Sequence, residues 1–297
     1  MLDPRPFFSV IIPTFNRGAL LCHAIKSILK QKNISLEIII IDDGSHDNTS
    51  EIVKGFKDER INYVKTENRE RGSARNSGLQ ISKGAYVNYF DSDDILTDCL
   101  FNLRQFIMIN GFPDVVYGLV ENVSEHGSLI KIVRPRYLSL KKSLLYNNFL
   151  ACGSVFIKRE VALQYLSCED RRLSGTEDWE LWLRLYSTYD FVEFHKVVFK
   201  QRQHPLRSLT KGEARQVTER ETVFIEQVKK NEDILLKRFS RSELALFIAD
   251  RYSLITLAQC ESGTKKNALE YLFKSLKSDL RVITRKRFWA ILKKLIV

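Results

Sequence analysis

An α/β fold with a doubly wound, mostly parallel sheet is the architecture this sequence predicts, on three observations. Short apolar runs alternate with stretches of helical spacing, in the order β-α-β-α-β-α-β, up to about Thr97. The first two runs, Phe7–Ile12 and Leu36–Ile41, read as buried parallel strands, covered on both faces. With 297 residues, 44% of them apolar, the chain can bury a sizeable core.

Phe7–Ile12 (FFSVII) reads as the first strand, stopping at Pro13. Ala19–Leu29 follows with helical spacing through Leu20, Ala24, Ile25 and Ile28. Leu36–Ile41 (LEIIII) reads as the second strand, broken by Asp42-Asp43-Gly44-Ser45. Asp47 or Thr49 can cap a helix running to about Phe56. Ile61–Lys65 is the third predicted strand, Ser73–Ser82 a helix, and Ala85–Phe90 (AYVNYF) the fourth strand, which ends at Asp91-Ser92-Asp93-Asp94. Beyond Thr97 the pattern is less regular, and from about Lys211 it is helical with few breakers.

Composition narrows the partners. Five cysteines, odd in number and without a CxxC or CxxH pair, speak against a zinc site or disulfide framework and for reduced thiols in a cytoplasmic chain. The longest apolar stretches fall short of the roughly 20 residues that cross a bilayer. The net charge is +11, and residues 211–297 alone hold 19 Lys and Arg against 11 Asp and Glu, so an anionic partner is expected. No RNA- or DNA-binding motif accompanies that charge, and no nucleic-acid partner is expected.

In a parallel sheet of this kind, ligands bind beyond the carboxyl ends of the strands. Pro13–Asn16, Asp42–Ser45 and Asp91–Asp94 all fall at such ends. Asp91 and Asp93, two apart at the end of a strand, are expected to point to one side. Paired carboxylates without Cys or His neighbours suit a hard cation, Mg²⁺ or Mn²⁺, shared with substrate phosphates. The plain alternative is a helix-capping turn. For Asp42–Ser45 the same alternative stands beside a carboxylate that binds a base or ribose. The glycine fingerprints of dinucleotide folds and P-loops are absent.

Five segments then occur in order: PTFNR (Pro13–Arg17), DDGS (Asp42–Ser45), GSARNSG (Gly72–Gly78), KGAYVNYFDSDD (Lys83–Asp94) and TEDWELWLR (Thr176–Arg184). Together they resemble the family 2 glycosyltransferases of the GT-A fold, of the bacterial surface-glycan type, over roughly Ser9 to Leu209. The resemblance implies a catalytic domain over 1–210, with a nucleotide-sugar half to about 97 and an acceptor half over about 98–210. A helical basic region, 211–297, follows.

It further implies that Pro13 and Thr14, with Asn16 and Arg17, lie against the donor nucleotide, that Asp43 contacts the base, and that Arg75 lies near base or phosphates. Asp91 and Ser92 would belong to the nucleotide-sugar site, with Asp91 toward the ribose. Asp93 would hold the metal with Asp91, and His204 of RQHPLRS would be a further ligand. Asp178 would be the general base of an inverting displacement, taking the acceptor proton as the new bond forms. UDP-sugar is the expected donor, and a glycan or lipid-linked hydroxyl the expected acceptor. One departure is NRER (Asn68–Arg71), which lacks the small residues that often precede the Ser-Ala-Arg-Asn motif.

Glu177-Asp178 also suits a helix N-terminus capped by Ser174 or Thr176. Arg281–Val297 has six basic and no acidic residues, with Phe288, Ile291, Leu292 and Leu295 on one helical face. That face suits either an anionic membrane surface, at the cytoplasmic side of the inner membrane, or packing on the catalytic domain. Two other functions fit parts of the pattern: a metal-dependent nucleotidyltransferase, and a non-catalytic membrane-associated scaffold.

Overall fold

The computed structural model describes residues 5–137, 139–203 and 213–296. Its first four strands, β1 (Phe8–Thr14), β2 (Leu36–Asp42), β3 (Ile61–Lys65) and β4 (Tyr86–Tyr89), alternate with α1 (Gly18–Leu29), α2 (Thr49–Lys54) and α3 (Glu70–Ile81). All three pairings among these strands are parallel. The expected elements form where periodicity puts them. β1 runs two residues further than expected, through Pro13. The β1–β4 ladder ends at the Ile11–Tyr89 pair, so the missing proline N–H forfeits no bond to β4.

The two faces of these strands divide by the period-2 rule. Phe8, Val10, Ile12, Ile38 and Ile40 pack with Leu21, Ala24, Ile25 and Ile28 of α1. Leu21, rather than the expected Leu20, fills that face. On the other face α3 lies so close to β1 that a Cβ on Gly78 would stand 2.4 Å from the Ile11 side chain.

The irregular stretch after Thr97 has a physical cause, because the sheet changes from parallel to mixed pairing there. β5 (Ile95–Leu96), α4 (Leu100–Ile109), β6 (Val115–Val123), β7 (Leu129–Val133), α5 (Leu140–Tyr146), β8 (Val155–Lys158), α6 (Arg159–Ala162), α7 (Glu177–Thr188) and β9 (Phe191–Arg202) follow in turn. Among the described residues, nine strands make one sheet in the order β3-β2-β1-β4-β8-β6-β9-β5, with β7 against β6. β8 is antiparallel to both β4 and β6, whereas β9 is parallel to β6.

The chain parts into two compact units that do not follow chain order. One comprises Met1–Leu140, Asn148–Glu169 and Tyr189–Arg207; the other comprises Lys141–Asn147, Asp170–Thr188 and Ser208–Val297. The second unit thus joins α7 to α8 (Ala214–Lys230), α9 (Glu232–Leu235), α10 (Arg241–Glu261), α11 (Lys265–Ser278) and α12 (Lys286–Ile296).

α10 opens on a capping box. The Ser240 hydroxyl accepts from the Glu243 amide at 3.1 Å, and the Glu243 carboxylate accepts from the Ser240 amide at 2.8 Å. On α12, Phe288 and Ile291 are buried with Ala249, Leu272 and Val282, and Leu292 and Leu295 pack beside them. The residues that cover this apolar face come from the neighbouring C-terminal helices rather than from residues 1–210. Trp289 (63% exposed) and Ile296 (84% exposed) stay outside.

Candidate functional site

Parallel register brings the three polar clusters to one sheet edge. Thr14 pairs with Asp42, its carbonyl accepts the Asp43 amide at 2.9 Å, and the Ile11 carbonyl accepts the Phe90 amide at 2.9 Å. The β1, β2 and β4 loops therefore leave the sheet side by side.

Asn16 joins the first two loops. Its amide donates to Ser45 Oγ at 2.8 Å, and its Oδ1 accepts from the His46 amide at 2.8 Å. It holds φ at +50°, which asparagine tolerates better than most residues. Asp42 is fully buried and accepts from the Ser45 amide at 2.7 Å and from the Tyr63 hydroxyl. Burial, with that bond to Asp42, pushes the Tyr63 phenol up to about 12, so it remains a neutral donor.

Asp43 accepts the Arg69 and Glu70 amides, one on each carboxylate oxygen, both at 2.8 Å. It thus caps α3 from 26 residues upstream. The capping alternative is therefore realised at this position, and Asn68 ties the same turn down through the Asp43 carbonyl at 3.0 Å.

Beyond β4 the chain turns instead of continuing as a strand, with the Asp94 amide donating to the Asp91 carbonyl at 3.2 Å. That turn, and not strand alternation, gathers the acids. One oxygen each of Asp91, Asp93 and Asp94 lie within 4.8 Å of one another. Asp93 and Asp94 are buried, as is Ser92.

Two guanidinium groups face the cluster: Arg17 is 3.2 Å from Asp93, and Arg75, 2% exposed, is 3.4 Å from Asp91. Three hard oxygen donors at this spacing fit a divalent cation such as Mg²⁺ or Mn²⁺. Asp94 is a member that sequence reasoning left out, although it stands in the same acidic segment.

Thr14 is 3% exposed, and its hydroxyl has no hydrogen-bond partner among the described residues. A buried unpaired hydroxyl is costly, which favours a polar ligand at this strand end. Pro13 beside it is half-buried.

Asp178 lies in the first turn of α7, in the second compact unit, and is half-buried. Its carboxylate accepts the Trp179 amide at 2.7 Å, while Glu177, 3% exposed, accepts the Gly175 amide at 2.5 Å. Thr176, one of the two expected caps, donates its hydroxyl to the Leu173 carbonyl at 3.2 Å. His204 lies outside the described residues.

The sequence profile of the family described as "Glycosyl transferase family 2" matches residues 9–166, more than half of the chain. The chain belongs to that family. This family 2 glycosyltransferase is 28% identical over 257 residues to an uncharacterised glycosyltransferase of Rickettsia prowazekii, spanning 82% of this chain and 80% of the relative. It is 33% identical over 199 residues to the GalNAc(5)-diNAcBac-PP-undecaprenol beta-1,3-glucosyltransferase of Campylobacter jejuni, spanning 64% and 63% of the two chains.

Solved structures bear out the GT-A fold. Staphylococcus aureus TarS 1–349 in complex with UDP-GlcNAc superimposes with TM-score 0.63 at 14% identity, covering 91% of this chain and 90% of that one. The mannosyltransferase PcManGT of Pyrobaculum calidifontis, solved with GDP-Man and Mn²⁺, gives TM-score 0.54 at 19% identity, covering 98% and 85%. Family membership selects the glycosyltransferase among the activities the sequence left open. Among the described residues of this family 2 glycosyltransferase, no helix is long and apolar enough to cross a membrane.

Proposed function

We propose that this family 2 glycosyltransferase moves a single sugar from a UDP-sugar to a hydroxyl of a lipid-linked glycan, with inversion, in the building of a surface polysaccharide or related glycan. The observation that carries the reading is the acidic turn Asp91–Asp94, at the same sheet edge as the unpartnered Thr14 hydroxyl.

Pro13, Thr14, Asn16 and Arg17 form the donor side with Arg75, Asp91 and Ser92. Asp43 contributes mainly by holding α3 in place, and each of its oxygens keeps a second lone pair for a base. Asp91, Asp93 and Asp94 would hold Mn²⁺ or Mg²⁺, which supplies charge neutralisation for a departing diphosphate.

Asp178 takes the proton of the acceptor hydroxyl as its oxygen bonds to the anomeric carbon. The bond from that carbon to the diphosphate breaks in the same step, and the electron pair leaves with UDP. No enzyme nucleophile is required. The Campylobacter relative's printed name supports a lipid-linked acceptor, and such an acceptor would bring the chain to the cytoplasmic face of the inner membrane.

Calorimetry tests the donor reading. UDP, GDP, CMP and dTDP are titrated into the protein with Mn²⁺ or with EDTA. UDP is expected to bind only with metal, and Asp93→Ala to weaken it about tenfold or more, as expected for a lost charged contact. UDP binding indifferent to both metal and Asp93 would overturn the reading.

A further inference from the structure

Asp178 precedes the aromatic centre of the second unit. Trp179 is 5% exposed, and its indole N–H donates to the Leu144 carbonyl at 2.7 Å. Phe224 of α8 and Phe247 of α10 flank it, with ring centroids 5.3 and 5.6 Å away. A charged group enters this apolar nest: the Arg251 guanidinium lies 4.6 Å from the Trp179 centroid and 5.2 Å from that of Phe247.

Arg251 is 5% exposed. It is held by Glu221, 1% exposed by side chain, at 3.4 Å and by Asp250 at 3.1 Å. Asp250 in turn accepts from Arg287 of α12 at 2.8 Å. Burial pushes the Asp250 carboxyl up, but the charges of Arg287 and Arg251 outweigh it and hold the group below its ordinary range.

Stability alone is a poor reason for this arrangement. Desolvating a buried ion network offsets much of its attraction, and an apolar replacement of similar volume is often neutral or stabilising. What the network supplies is direction. Its charges fix the guanidinium, and the guanidinium on the ring face, with the indole bond to Leu144, fixes Trp179 in position and rotation. The Trp179 backbone amide donates to the Asp178 carboxylate at 2.7 Å.

We infer that Arg251 is a positioning residue for sugar transfer, acting through Trp179 to orient Asp178. This rests on the reading of Asp178 as the base. It also makes the helical region after residue 213 part of the catalytic apparatus.

The test uses the full chain. Arg251→Met alone would leave Glu221, 1% exposed by side chain, with one of its two cations removed and Arg220 at 3.2 Å remaining, so the variant that removes the charge imbalance is Arg251→Met with Glu221→Gln, beside Arg251→Lys. The Asp178 side-chain carboxyl resonance, in protein carrying ¹³C-labelled aspartate, is assigned by its loss in Asp178→Asn. UDP release from UDP-GlcNAc with Mn²⁺, water serving as acceptor, gives kcat and KM.

In the double variant the Asp178 resonance is expected to shift or split. There kcat should fall about tenfold while KM for the donor stays within about twofold, the pattern of a misplaced catalytic group. Arg251→Lys should restore most of kcat. A double variant with the wild-type resonance and the wild-type kcat overturns the inference, and the resonance decides whichever donor turns over. If Asp178→Asn keeps wild-type kcat, the general-base reading fails separately, whatever the packing does.

Discussion

Asp43 shows how a residue's position can be legible while its task is not. The acid after a run of isoleucines stands at a strand end, as parallel topology demands, and the family resemblance assigns it to the base. In the folded chain both of its oxygens already hold the Arg69 and Glu70 amides. Those amides begin α3, where Glu70 adopts φ of +73°. Asp43→Ala should therefore lower stability by about 1–2 kcal/mol, the usual cost of a lost cap. Asp43→Asn keeps one acceptor oxygen and should lose about half as much. Urea unfolding of the two variants measures the difference; equal stability of all three proteins would remove the cap from the account. Asp94 is the opposite case, since the turn that makes it part of the cluster was not anticipated.

Among the elements, α3 is the one whose closeness to the sheet matters most. It carries Arg75 to the acidic turn, and Gly78 lets it rest against β1. A methyl group there would meet Ile11 at 2.4 Å and Ile41 at 3.3 Å. Gly72 has a similar constraint, with the Cys168 carbonyl 2.2 Å from where its Cβ would be. Gly78→Ala should cost about 1–3 kcal/mol from overpacking, despite the better helix propensity of alanine. It should also weaken metal-dependent UDP binding, because Arg75 sits one turn away on the same helix. Thermal unfolding and calorimetry on the same variant check both parts. A gain in stability would mean that β1 yields easily.

Charge is the property of the whole molecule that separates its two ends. Much of the net +11 resides in residues 211–297. On α12 the apolar face is buried, leaving Trp289 and Ile296 exposed beside Lys286 and Lys293. These, rather than the face the helical wheel selects, are the groups a bilayer would meet. Flotation with vesicles containing phosphatidylglycerol should retain the chain at low salt and release it as salt rises. Lys286→Gln with Lys293→Gln should weaken binding by about 1 kcal/mol per charge removed. Trp179 and Trp182 are buried, so a blue shift of tryptophan emission on vesicles would report Trp289. Salt-indifferent flotation, or none, would leave the basic tail a role within the protein alone.

Local chemistry by itself determined the parallel half of the sheet, the strand ends where polar clusters gather, and the family. Continuous β-branched runs and helical spacing act over a few residues, and motif order survives in the chain. Tertiary structure alone decided which acids meet, because a turn beyond β4 and not the strand period brings Asp94 to Asp91 and Asp93. It also decided that α7 groups with the C-terminal helices, and that a buried Arg251 lies on Trp179. Those outcomes depend on contacts between residues far apart in sequence. Burial, ring faces and ion pairs at such separations leave no periodic trace in the chain.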